Sequence, residues 1–376
     1  MARRAVLPAV VAALTLLTLA CVPMPGADPV VDVAAGGIAS CAVRQGGSVM
    51  CWGDDSFGQL GNGAAGASAT PVAVAGLTGA TAVTAGEHHA CAIAAGGSVW
   101  CWGRNNSGQL GNNSVVDSTV PVAVGGLSGA TAVAAGSFHT CALVTGGLVR
   151  CWGEGSSGQL GNDQFSSSPV PVAVPTLSEV TRLSAGGADT CAITASGQTW
   201  CWGDNDKGRL GIGSDSPSRS AVPLAVIAAA QVGVGDDHSC VVVASGQARC
   251  WGSVSNGQLG NGLATPGWIN SAVDVTGLTL AARVDSGQAF SCATLAFGGV
   301  NCWGRNDLGQ LGDGTTNQSA TRVAAAGLTS ISSVSAGDGH ACALRSDGTV
   351  WCWGWNAFGQ VGDGSATNRL TPVPVL

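Results

Sequence analysis

The sequence predicts an all-β protein built as a closed ring of seven repeated blades. Three observations carry this. Fourteen of the fifteen cysteines fall into seven pairs, each pair ten residues apart, with successive pairs offset by about fifty residues. Each second cysteine opens a Cys-Trp-Gly triplet, followed by a Gly-Gln-Leu-Gly turn or a near variant. The two ends of the repeated part read as complementary fragments of one unit.

Composition narrows the function classes. The chain has 376 residues and 59 glycines without a three-residue period, so a collagen-like rod is excluded. Hydrophobic residues make up 45% and charged residues 10%, which argues against disorder driven by charge. The net charge is -7 and Lys207 is the only lysine. No basic patch is available for a phosphate backbone, so nucleic acid is not an expected partner.

Residues 1–20 read as an export signal. Arg3 and Arg4 precede an apolar run over 6–20, too short to cross a bilayer comfortably. The run ends in Thr18-Leu19-Ala20-Cys21, which resembles a bacterial lipobox, although Thr18 stands where leucine is usual. The expectation is cleavage before Cys21 and lipidation of Cys21; ordinary cleavage near Ala20 or Ala27 is the alternative. Residues 21–29 form a short Pro/Gly-rich tether, and 30–376 form a single propeller domain.

Within a repeat, Cys91 to Cys101 shows the local geometry. Two extended segments flank Gly96 and Gly97, which adopt positive φ at low steric cost. Folding that hairpin sets Cys91 opposite Cys101 and Ile93 opposite Val99 on one face, with Ala92 against Trp100 on the other. The Trp of Cys-Trp-Gly never varies and reads as a core anchor. Its neighbour opposite Ala92 changes freely (Met50, Trp100, Arg150, Trp200, Arg249, Asn301, Trp351), as a half-exposed position does.

Export and the constant spacing favour seven disulfides: Cys41–Cys51, Cys91–Cys101, Cys141–Cys151, Cys191–Cys201, Cys240–Cys250, Cys292–Cys302 and Cys342–Cys352. Buried thiols and metal ligands are the alternatives. Zinc would need four convergent ligands, and the candidate histidines His89, His139, His238 and His340 are replaced by Ala39, Asp189 and Phe290 in the other repeats. No metal and no cofactor is expected.

A Pro-Val-x-Val strand follows each glycine turn in most copies, as at Pro71 and Pro121, and a short strand such as Thr81-Ala82-Val83 leads into the next repeat. The chain enters the pattern at Val30 and leaves it after Pro372-Val373-Pro374-Val375. The expectation is a ring closed by N- and C-terminal segments that share a blade.

These repeats resemble those of the regulator of chromosome condensation family. The residues that carry the resemblance are the Gly-x-x-His-x-Cys-Ala-Leu stretch, as at 136–143, and the Val-x-Cys-Trp-Gly-x-x-x-x-Gly-Gln-Leu-Gly stretch, as at 99–111. The resemblance implies a seven-bladed β-propeller whose blades are four-stranded antiparallel sheets. Family members include a nuclear guanine-nucleotide exchange factor for a small GTPase, a plant ultraviolet receptor, ubiquitin-ligase propellers and a secreted bacterial inhibitor of β-lactamases.

No nucleophile elbow, phosphate loop or complete calcium loop is present, so a non-enzyme is expected. Departures from the repeat mark candidate partner contacts. The 260–272 stretch is lengthened and carries Trp268, Ile269 and Asn270; Arg219 lies in a second lengthened loop, and Trp355 has no counterpart. Trp268 either anchors a partner or packs on the neighbouring blade.

Together these readings predict an exported, lipid-anchored, monomeric recognition module of the bacterial cell envelope. Its partner would be an extracytoplasmic protein or a glycan, and the anchor would be its only membrane contact. The alternatives are a carbohydrate-binding or purely structural surface protein, a propeller-based hydrolase or lyase, and exchange-factor-like activity, which export and acidity disfavour.

Overall fold

The computed structural model describes residues 28–225 and 228–376. The export signal, Cys21 and the tether up to residue 27 lie outside the described residues. Seven four-stranded antiparallel sheets follow one another along the chain, at 30–73, 80–123, 130–173, 180–223, 229–274, 281–324 and 331–374. They are numbered here as blades 1 to 7. Blade 1 runs Val30–Ala35, Ala39–Arg44, Val49–Gly53 and Ser68–Ala73. Among the described residues only Ala95–Gly97 and Asp206–Gly208 form short 3-10 turns. The protein is an all-β, seven-bladed propeller.

Ring closure differs from the expectation of a shared blade. Each sheet is made of four consecutive strands, so the termini lie in separate blades. The Pro-Val-x-Val strand is the outer strand of its own blade, with Val373 opposite Cys352, and Val30–Ala35 opens blade 1. The unit boundary therefore falls between those two strands. The ring closes through a seam between blades 7 and 1, where Val30 N donates to Gly348 O (3.1 Å) and Val33, Ala42 and Trp52 pack with Leu344, Val350 and Val361. A repeat read as a string has no marked start, whereas strand pairing sets one.

The seven cysteine pairs are bonded, each between directly opposed residues of the second and third strands, as Cys91 faces Cys101 and Ala92 faces Trp100. All fourteen are fully buried.

The blades are joined by one repeated contact. Each Cys-Trp-Gly indole is fully buried, and its Nε1 donates to a backbone carbonyl of the preceding blade. Trp152 reaches Gln109 O at 2.9 Å, Trp251 reaches Arg209 O at 2.8 Å, and Trp52 reaches Gln360 O at 2.9 Å across the closing seam. The last glycine of each Gly-Gln-Leu-Gly turn lies under the next indole. At Gly111 (φ 68°), a Cβ would come within 2.7 Å of Trp152. Both backbone conformation and space therefore demand glycine.

A second contact crosses every seam one layer up. The residue two before the first cysteine faces the residue one before the first cysteine of the next blade. Histidine meets a hydroxyl: His89 with Thr140, His139 with Thr190, His238 with Ser291 and His340 with Ser40, at 2.7 to 2.9 Å. Apolar meets apolar, with Ala39 and Ala90 in one core cluster and Phe290 and Ala341 in another. The apparent metal pattern of the histidines is thus a packing pattern. Blade 4 is the exception, with Asp189 in the histidine's place.

Innermost strands ring a central channel, and each presents an open edge. Side chains of the neighbouring blade satisfy part of it. Thr84 Oγ1 accepts from Ala135 N, Ser184 Oγ from Val234 N, Ser335 Oγ from Ala35 N, and the carboxylates of Asp32 and Asp285 from Val83 N and Ala336 N. Unpaired strand edges invite further pairing, and these bonds close them within the ring.

Candidate functional site

Antiparallel folding places two sets of loops at one end of the ring, called the upper end here. One set joins first to second strands, and the other joins third to fourth strands. The lower end carries short glycine turns that differ little between blades. Chemical variety is concentrated at the upper end, in two positions of an otherwise regular frame. After the glycine that follows each first strand stand Gly37, Glu87, Ser137, Gly187, Asp236, Gln288 and Asp338, around the channel mouth. After Cys-Trp-Gly stand Asp54, Arg104, Glu154, Asp204, Ser253, Arg305 and Trp355.

The mouth is acidic. Burial, reinforced by the charge of Asp237 and Glu87, pushes the Asp236 carboxyl up to about 6. Burial and the charges of Asp236 and Glu87 push Asp338 up to about 7. Glu87 is held below the usual carboxylate range by a hydrogen bond from His88. Beside the mouth, Arg104 stacks between the rings of Phe57 (4.8 Å) and Phe138 (5.1 Å), and Phe57 stacks in turn on His88.

Blades 4 and 5 hold a charged network found at no other seam among the described residues. Arg209 replaces the glutamine of the usual turn and is buried. It pairs with Asp237 (3.0 Å) and Asp204 (3.3 Å), while Lys207 also reaches Asp237 (2.7 Å). Asp189 lies near it, fully buried, with neither carboxylate oxygen hydrogen-bonded among the described residues. Burial raises its pKa well above the usual value, although the Arg209 charge pulls the other way.

The sequence-derived candidates all lie at this upper end but do not form one cluster. Trp268 opens the outer strand of blade 5; it is 51% exposed, and its Nε1 donates to Asp215 of blade 4 (3.1 Å). Ile269 packs on the core between blades 5 and 6, and Asn270 O accepts from Gly213 N. Arg219 repeats the reach one blade earlier, its guanidinium 5.7 Å from the Phe165 ring. Trp355 sits apart on blade 7, edge-on to Phe358. Sequence reading passed over the acidic mouth and the Arg209 network. The signal was free variation at two fixed positions, the same signal that marked the site opposite Ala92. No group of three or more potential ligands able to hold a metal occurs among the described residues.

The repeat profile described as regulator of chromosome condensation (RCC1) repeat matches residues 46–93, 96–143, 147–193, 196–242, 298–344 and 347–376. A second profile of that description matches six segments from 30–59 to 331–360. No curated protein matches the chain. Among solved structures it is similar to Prp20p of Saccharomyces cerevisiae, described with its binding to Gsp1p and histones (20% identity, 88% of this chain, 86% of that one, TM-score 0.78). The same yeast protein, named there as RCC1, is also seen bound to Kap60. Human WBSCR16 (20% identity, 92% of this chain, 81% of that one, TM-score 0.68) and the ectodomain of the Physcomitrella patens receptor kinase CR4 (21% identity, 87% of this chain, 73% of that one, TM-score 0.55) share the fold.

These relatives correct the functional expectation drawn from the N-terminus and the charge. The yeast and human relatives are not bacterial lipoproteins, so the exported, lipid-anchored bacterial-envelope identity and its localisation are set aside. The glycan or extracytoplasmic partner falls with them, since the yeast relative is paired with Gsp1p, histones and Kap60. The expectation of a non-catalytic envelope recognition module falls with them, since the similar yeast protein is described with its binding to Gsp1p and histones. The physical reason is that an apolar N-terminal run and an acidic surface are compatible with many roles, whereas the seven repeated blades constrain one architecture. The chain belongs to the regulator of chromosome condensation (RCC1) repeat family.

Proposed function

We propose that the upper end of the ring engages a small GTPase and accelerates the release of its guanine nucleotide. Such catalysis makes and breaks no covalent bond; it stabilises the nucleotide-free GTPase. When nucleotide leaves, the phosphate-binding amides and lysine of the GTPase lose their anion. One observation carries the reading: the channel mouth holds Asp236 and Asp338 carboxylates that no cation of this chain pairs among the described residues. Burial disfavours their charged forms, and a cation of a partner seated on the ring would draw both to the carboxylate, placing negative charge where the partner needs it. Trp268, Ile269, Asn270, Arg219 and Trp355 would border that footprint.

The test is release of a fluorescent GDP analogue from a small GTPase of the Gsp1p kind. Acceleration over the intrinsic rate is expected, and Asp236→Asn with Asp338→Asn should reduce it by about tenfold or more. Release at the intrinsic rate with the unaltered chain would overturn the reading.

A further inference from the structure

Between blades 3, 4 and 5 the upper end opens into a cavity of about 440 Å³. Phe138 forms an apolar wall. Glu154 and Asp236 supply carboxylates, and Ser137 and Ser156 supply hydroxyls. The charges do not cancel within the cavity. Arg209, the only cation lining it, is committed to Asp237 and Asp204. Glu154 accepts only from the hydroxyls of Ser107 (3.1 Å) and Ser156 (2.7 Å), and neither Glu154 nor Asp236 has a cationic partner among the described residues.

A second observation is independent of the acids. Gln159, 2% exposed, also lines the cavity. Its Oε1 accepts from Ser157 N (2.9 Å), which sets the orientation of its amide. In blade 1 the equivalent Gln59 Nε2 donates to Asp54 at 2.7 Å. In blade 3 the acid in that place, Glu154, turns instead to the serines, and the Gln159 Nε2 has no hydrogen-bond acceptor among the described residues. The Gln159 Nε2 is not sealed from solvent as the unpartnered Gln360 Nε2 of blade 7 is; it opens on the cavity, where it can donate to a carbonyl from outside.

We propose that this cavity receives a basic side chain, arginine or lysine, from an exposed segment of a partner protein. The aliphatic stem lies on the part of Phe138 that faces the cavity and that Arg104 does not cover, the charged head meets Glu154 and Asp236, and a main-chain carbonyl of the segment accepts from Gln159 Nε2. The volume is within the range of built ligand pockets. Burial already penalises the Asp236 carboxylate and raises its pKa to about 6; an incoming cation relieves that penalty. This rests on the preceding reading only in the end of the ring that the partner meets.

The probes are the tripeptides acetyl-Gly-Arg-Gly-amide and acetyl-Gly-Lys-Gly-amide, with the norleucine peptide as the neutral counterpart. They are titrated calorimetrically into the full chain. At least one basic peptide should bind about tenfold more tightly than the norleucine peptide, and Glu154→Gln or Asp236→Asn should each weaken it about fivefold. Glu154→Gln alters a partly exposed, conservative position, so it keeps the test valid if Asp236→Asn fails to fold. Binding of neither basic peptide, equal binding of norleucine, or unchanged affinity in folded Glu154→Gln would each overturn the proposal. Peptide binding without nucleotide release would sink the exchange reading alone. Nucleotide release without peptide binding would sink this one alone.

Discussion

At the scale of residues, the seams are where single side chains decide most. Each indole of Cys-Trp-Gly is buried against the preceding blade and donates one hydrogen bond across the seam. Trp303→Phe keeps most of the apolar area and leaves Gln258 O without its 2.9 Å donor. It should lower unfolding free energy by about 1–3 kcal/mol in a urea titration. The buried titratable groups act in opposition. Burial pushes His139 and His238 down to about 4, and His89 and His340 to about 3. The unfolded chain binds those protons near pH 6.5 and the native chain does not, so each histidine lowers stability as pH falls from about 6.5 towards 4. Asp32 and Asp285, raised to about 6 by burial, act with the opposite sign. The native chain takes up those protons before the unfolded one, so acidification from about 6 towards 4 adds stability. Stability measured at pH 7 and pH 5 should therefore tilt in opposite directions in two variants. His139→Gln should favour the acid side and Asp285→Asn the neutral side, each by up to about 1.4 kcal/mol per pH unit. An unchanged slope in both would show that these groups titrate alike in the native and unfolded chains.

At the scale of elements, the hairpin of the second and third strands is the most self-contained part of a blade. Its disulfide closes a separation of ten residues, so replacing Cys191 and Cys201 together by serine should cost about 2–3 kcal/mol. That loss should appear as an earlier thermal transition with blade 4 still folded. The upper loops are held by a different device. Asn306 and Asn356 accept from the backbone five residues on and donate to two carbonyls beyond it, for example Asn356 Nδ2 to Ser365 O and Thr367 O, both at 3.0 Å. Blades 3 and 5 carry Gly155 and Val254 at that place and lack the bracket. These are two of the blades that wall the cavity. Asn356→Ala should open the 363–368 loop to limited proteolysis while leaving the ring's melting temperature within a few degrees.

At the scale of the whole molecule, the ring is regular below and varied above. A partner that reads the varied end should be indifferent to the lower one. Trp268→Ala at the upper end should weaken GTPase affinity several-fold, as the loss of an exposed aromatic anchor does. Phe297→Ser, in a lower turn and 71% exposed, should leave both affinity and nucleotide release unchanged. Equal loss in both variants would move the functional face.

The sequence by itself determined the scaffold: the all-β class, the count of seven, the hairpins and the opposition of Cys91 to Cys101. All of these follow from local spacing, since a turn of a few residues sets strand register and register sets which side chains meet. Of the candidate contacts, Trp268 and Arg219 were legible because they break a local pattern. Only the tertiary structure decided the blade boundary at the closing seam, the pairing of His139 with Thr190, the acidic mouth and the cavity beside Gln159. Each joins residues from different blades, about fifty or a hundred positions apart, or about three hundred at the closing seam. No local period records which of them share a seam or a cavity. Ring closure alone brings Asp236 towards Asp338 and aims Gln159 into a cavity walled by Glu154 and Asp236.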